Sequence, residues 1–141
     1  VTLATDLRRT LIDAVAELPG PVGIALSGGM DSAALAAAFA ATGRRDVQAY
    51  SFGLKDRIST DLKDGRRVSA HLFYAPSIPV WLPTELDVLQ ADVRRVVELG
   101  LKGKSDVECV WPYLYLLDRA RSDGMATILT GIHSDWYYGL I

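Results

Sequence analysis

The sequence predicts an α/β fold: a parallel twisted sheet in the order 3-2-1-4, flanked by helices. Three observations lead there. Apolar runs of strand length alternate with segments of helical periodicity, which implies parallel strands joined by right-handed crossovers. The link between the expected third and fourth strands is about fifty residues long, against the dozen or more that a neighbour crossover needs, so the chain returns to the far side of the first strand. That order creates a switch point between strands one and four, with a crevice outside their carboxyl ends. Two polar motifs, Ser27 to Ser32 and Thr130 to Asp135, fall at that crevice.

The elements follow in chain order. Leu3, Leu7, Leu11, Val15 and Leu18 recur at helical spacing, and Pro19-Gly20-Pro21 ends that amphipathic helix. Val22 to Leu26 is an apolar run of strand length, expected at the sheet centre. A helix from Asp31 to Thr42, closed by Gly43, is apolar nearly all round and so is expected to be buried against the sheet. Val47 to Phe52 is the second strand. A shorter helix near Ser59 to Ala70 and a third strand around His71 to Ala75 are expected next, with Pro76, Pro79 and Pro83 marking an irregular connection. Leu86, Leu89, Val93, Val96 and Val97 define one further helical face, and Val110, Tyr113, Leu114 and Leu117 another. Met125 to Leu129 is the last strand.

Between strand one and its helix lies Ser27-Gly28-Gly29-Met30-Asp31-Ser32. Paired glycines let the backbone turn sharply with its N–H groups inward, and the helix start adds free amides and partial positive charge, so a polyphosphate is the expected guest. No lysine stands where a Walker loop needs one, and no Gly-x-Gly-x-x-Gly is present for a dinucleotide. An acid, Asp31, between the hydroxyls of Ser27 and Ser32 suits a magnesium-bound phosphate. The competing reading is a tight turn whose serine and aspartate only cap a helix.

Bulk properties narrow the class. The 141 residues make about one domain, 1–141; 50% are hydrophobic and 23% charged, the balance of a folded globular chain. A net charge of -2 gives no general attraction to nucleic acid or anionic membrane. The doublets Arg8-Arg9, Arg44-Arg45, Arg66-Arg67 and Arg94-Arg95 are scattered and read as solvated helix faces. No apolar run reaches spanning length, and Asp6, Asp13 and Glu17 are wrong for a secretory signal. One cysteine, Cys109, cannot form an internal disulfide, so a reducing cytoplasm is the expected setting. Cys109 is expected to pack in the core beside Val110 and Trp111, and His71 to sit at a strand edge. His133, near the crevice, is either a proton carrier or a loop histidine.

Ser-Gly-Gly-x-Asp-Ser after a buried strand resembles the pyrophosphate loop of the ATP pyrophosphatases. More narrowly, Val22 to Ala41, Tyr50-Ser51-Phe52-Gly53 and Ile128 to Asp135 resemble the synthetase domain of asparagine synthetase and its relative beta-lactam synthetase. The resemblance implies an adenine nucleotide alpha-hydrolase-like fold and an AMP-forming C–N ligase with ATP and magnesium as cofactors. It implies that Ser27, Gly28, Gly29, Asp31 and Ser32 hold the β and γ phosphates, and that Leu26, Phe52, Gly53, Thr130 and Gly131 surround the adenosine. Asp31 and Asp135 would be the catalytic, magnesium-ligating carboxylates; alternatively Asp135 caps a helix starting near Trp136.

The implied substrates are a small-molecule carboxylate and ammonia or an amine, since the glutaminase domain of glutamine-dependent relatives is lacking. Relatives carry a glycine-rich stretch with an acid or tyrosine where this chain has Ile132-His133, which leaves altered acceptor handling or lost activity open. They also continue beyond Asp135 with helices that cover the site and a late lysine, so the domain is expected to be truncated at its C-terminus. Trp136, Tyr137, Tyr138, Leu140 and Ile141 are then expected to meet another copy or a partner chain. The rival functions are tRNA-base adenylation and a catalytically decayed ATP-binding module.

Overall fold

A computed structural model describes residues 2–55, 57–132 and 134. The chain runs α1 (Leu3–Ala16), β1 (Val22–Ala25), α2 (Met30–Ala41), β2 (Val47–Leu54), α3 (Thr60–Phe73), β3 (Ile78–Leu82), α4 (Leu86–Glu98), α5 (Lys104–Ser122) and β4 (Thr127–Leu129). The strands form one sheet in the order β3-β2-β1-β4, all neighbours parallel, as the long link after the third strand predicts.

Alternation along the strands divides the core in two. Val22, Ile24 and Leu26 face α1, α2 and α3, packing with Val15, Ala36, Phe39 and Ala49. Ala25, Tyr50 and Val80 face the opposite way, against Leu116 and Ala120 of α5. α2 lies against the sheet with α1 outside it, which explains its almost uniformly apolar sequence. Leu3 and Leu7, although on the periodic face of α1, are exposed, and only the later turns pack. Arg44 closes α1 by donating Nη1 to the carbonyls of Val15, Ala16 and Leu18, while pairing with Asp46 and lying over the Phe39 ring.

Several sequence expectations are corrected. The third strand is Ile78–Leu82 rather than His71 to Ala75, and the stretch from Pro76 to Pro83 is mostly strand rather than irregular connection. β3 is an edge strand, where a proline such as Pro79 is tolerated because its missing N–H can face outward. α3 continues to Phe73, because Val68, Leu72 and Phe73 complete its apolar stripe, and it ends at Tyr74 in the left-handed conformation. His71 is accordingly an exposed residue of the last helical turn and not a strand edge. Cys109 is exposed rather than core-packed, because the buried residues of α5 begin at Leu114. No helix among the described residues is long and apolar enough to cross a membrane.

Candidate active site

β1 ends at the switch point, and the loop leaves it there. Gly28 adopts φ +83°, where a side chain would be strained, and a Cβ would meet Asp64 Cβ at 2.6 Å and the Gly65 amide nitrogen at 2.9 Å. The loop therefore turns hard against α3. Gly29 is the N-cap of α2 without a side-chain cap, and the first helical bond runs from Ala33 to the Gly29 carbonyl at 3.0 Å. The amides of Met30, Asp31 and Ser32 thus precede that first bond. They have no protein acceptor among the described residues, and with the positive end of the helix they present open donors of the kind that suits an anion.

The loop hydroxyls hold its shape. Ser32 Oγ donates to the Gly29 carbonyl at 3.2 Å and accepts from the Ser27 amide at 3.3 Å and, at 3.1 Å, from the Ser27 hydroxyl. Gly29 N–H in turn donates to Ser27 Oγ at 3.2 Å. Gly131, beyond β4, lies so near that a Cβ would be 3.1 Å from Asp31 Cβ and 3.2 Å from the Ser32 amide nitrogen. Its missing side chain keeps the start of α2 open.

A cleft of about 240 Å³ opens between these parts, lined by Leu26, Ser27, Gly29, Asp31, Ser32, Phe52 and Gly131 among others. It joins the loop to the ends of β1 and β2. Gly28 stands behind the loop, against α3. Gly53 is buried facing Leu62 and Trp81 and does not line the cleft. Thr130 borders a neighbouring apolar hollow formed with Leu7, Leu11 and Met30. Asp135, His133 and Trp136 to Ile141 lie outside the described residues.

Two cleft residues with polar side chains were not among the sequence-based candidates. Asp61 comes from the first turn of α3, and Tyr113 comes from α5, its ring edge-on to Phe52 at 5.3 Å between centroids. Burial raises the Tyr113 phenol above its ordinary value, so it enters the cleft as a neutral hydroxyl. Asp61 had a readable signal: an acid just past the Ser59 N-cap of the helix that follows β2. Tyr113 had none beyond its helical face. Among the described residues, the charged side chains lining the cleft are the carboxylates Asp31 and Asp61. No basic side chain among the described residues lines the cleft.

No curated protein sequence matches the chain. Among solved structures, an NH3-dependent NAD synthetase from Campylobacter jejuni subsp. jejuni NCTC 11168, in complex with the nitrate ion, is similar in fold, with a TM-score of 0.64 at 19% identity. The match covers 94% of this chain and 58% of that one, so the chain spans little more than half of its structural relative. The family model for asparagine synthase matches residues 6–139, taking in the loop and the ends of β2 and β4. The chain therefore belongs to the asparagine synthase family, within the pyrophosphate-loop superfamily.

Proposed function

We propose that the protein activates a small-molecule carboxylate with ATP, releasing pyrophosphate, and passes the activated acyl group to ammonia or an amine to form an amide. The observation that carries this reading is the run of open amides from Met30 to Ser32, of which Asp31 and Ser32 line a cleft that Leu26, Phe52 and Gly131 extend. Loop amides of this kind stabilise the charge that develops on a leaving pyrophosphate, and the walls orient the nucleoside so that the α phosphorus is presented to the carboxylate. No protein nucleophile is required.

The donor set fits magnesium. Among the described residues no group of three or more His, Cys, Asp or Glu could hold a metal alone. Magnesium typically takes one or two carboxylates together with substrate phosphates, so Asp31 beside the phosphate surface is a suitable ligand. Asp135 is the second carboxylate in this reading. The cation would neutralise phosphate charge that a cleft lined by two carboxylates repels. The same reading takes 1–141 as a single domain in a cytoplasmic setting, with a second chain over the carboxyl-terminal segment.

Incubation with α-labelled ATP, a panel of carboxylates and an ammonium salt tests the reaction. AMP with pyrophosphate is expected, and ADP as the main product would exclude it.

A further inference from the structure

Ser51 directly precedes Phe52, which the resemblance gives to the nucleoside, yet it does not line the cleft. Its surroundings explain how the loop is held. The ladder between β1 and β2 extends as far as the Leu26 amide, which donates to the Tyr50 carbonyl at 2.7 Å. The Leu26 carbonyl is met by a side chain: Ser51 Oγ donates to it at 2.6 Å. Leu26 and Ser51 are each 1% exposed, so water cannot replace that donor.

Ser51 is itself oriented. Ser77, just before β3 and 2% exposed, lies 2.6 Å from Ser51 Oγ. Because the single Ser51 proton goes to Leu26, Ser77 is the donor of that bond. The backbone of α3 closes over the pair, since a Cβ on Gly65 would collide with both the Leu26 carbonyl oxygen and the Ser51 hydroxyl. The next helical residue back, Asp64, abuts Gly28. The base of the loop is therefore clamped between a buried hydroxyl relay and a helix backbone.

We propose that Ser51, oriented by Ser77, is a positioning residue for the phosphate loop: it fixes the Leu26 carbonyl from which Ser27 to Ser32 departs, and so aims the open amides at the cleft. Its effect on nucleotide rests on the reading under Proposed function; its effect on the loop does not.

Amide NMR spectra and magnesium-ATP calorimetry, both well below the unfolding temperature, separate the two. Ser51→Ala should move the Gly28, Gly29 and Met30 resonances and weaken magnesium-ATP binding about tenfold. Ser69→Ala is the control, because Ser69 is 2% exposed and donates to the Ala75 carbonyl at 2.7 Å away from the loop. It should lower Tm and leave both loop resonances and affinity unchanged. Ser77→Ala should give a smaller change in the same direction as Ser51→Ala, and none when added to it. Loop resonances in Ser51→Ala matching the wild type, or an equal loop change in Ser69→Ala, would overturn the proposal. If the wild type binds no ATP, the functional reading fails while the resonances still decide this one. Should Ser51→Ala not fold, Ser77→Ala decides it alone: unmoved loop resonances would refute the relay.

Discussion

Gly28→Ala separates two costs that a glycine in a loop can hide. At φ +83° a side chain strains the backbone, which costs about 1–2 kcal/mol. The new Cβ would also sit 2.6 Å from Asp64 Cβ and 2.8 Å from the Asp64 carbonyl carbon, so α3 or the loop must shift, at about 1–3 kcal/mol more. The sum is about 2–5 kcal/mol, a large part of the roughly 5–15 kcal/mol that holds a domain together. Gly43 provides the reference: its φ is +75° and a Cβ there would meet nothing within 4 Å, so Gly43→Ala carries the backbone cost alone. Urea unfolding should put the Gly28→Ala midpoint about 1–2 M below the wild type and clearly below Gly43→Ala. Equal midpoints for the two variants would refute the close packing of the loop on α3.

Phe39, 0% exposed between the sheet and the Arg44 guanidinium, should cost about 3–5 kcal/mol on replacement by alanine, read from the same urea curves. Alkaline stability should depend on the buried and half-buried tyrosines, two of which, Tyr115 and Tyr50, also bond to carboxylates. Burial first, then the bond to Asp92, pushes the Tyr115 phenol up to about 12; burial and Asp123 likewise raise Tyr50. Above about pH 10 the unfolded phenols ionise while the folded ones keep their protons. Their stabilisation is therefore complete below that pH and lost as pH rises through the folded values. Tyr115→Phe should flatten the fall in urea midpoint between pH 10 and 12.

The strand order was legible because it depends on long-range properties: the alternation of elements and the long link before β4. The loop was legible because its glycines, serines and aspartate are contiguous. β3 was misplaced because Ile78-Pro79-Val80-Trp81-Leu82 carries a proline, and only its edge position, a tertiary fact, makes that acceptable. Local periodicity likewise could not separate the last turn of α3 from a strand at His71 to Ala75. Cys109 beside Val110 and Trp111 reads as core, yet the early turns of α5 lie beyond the region where it meets the sheet. Asp61 and Tyr113 enter the cleft from elements distant in sequence from the loop, and no spacing links them to it.

The central claim is that Ser27 to Ser32 receives the phosphates of a magnesium nucleotide. Calorimetry with magnesium-ATP, comparing the wild type with Asp31→Ala, tests it most directly. Binding that depends on magnesium and weakens at least tenfold in the variant is the predicted result, whereas equal affinity in the two proteins would remove the loop from the site.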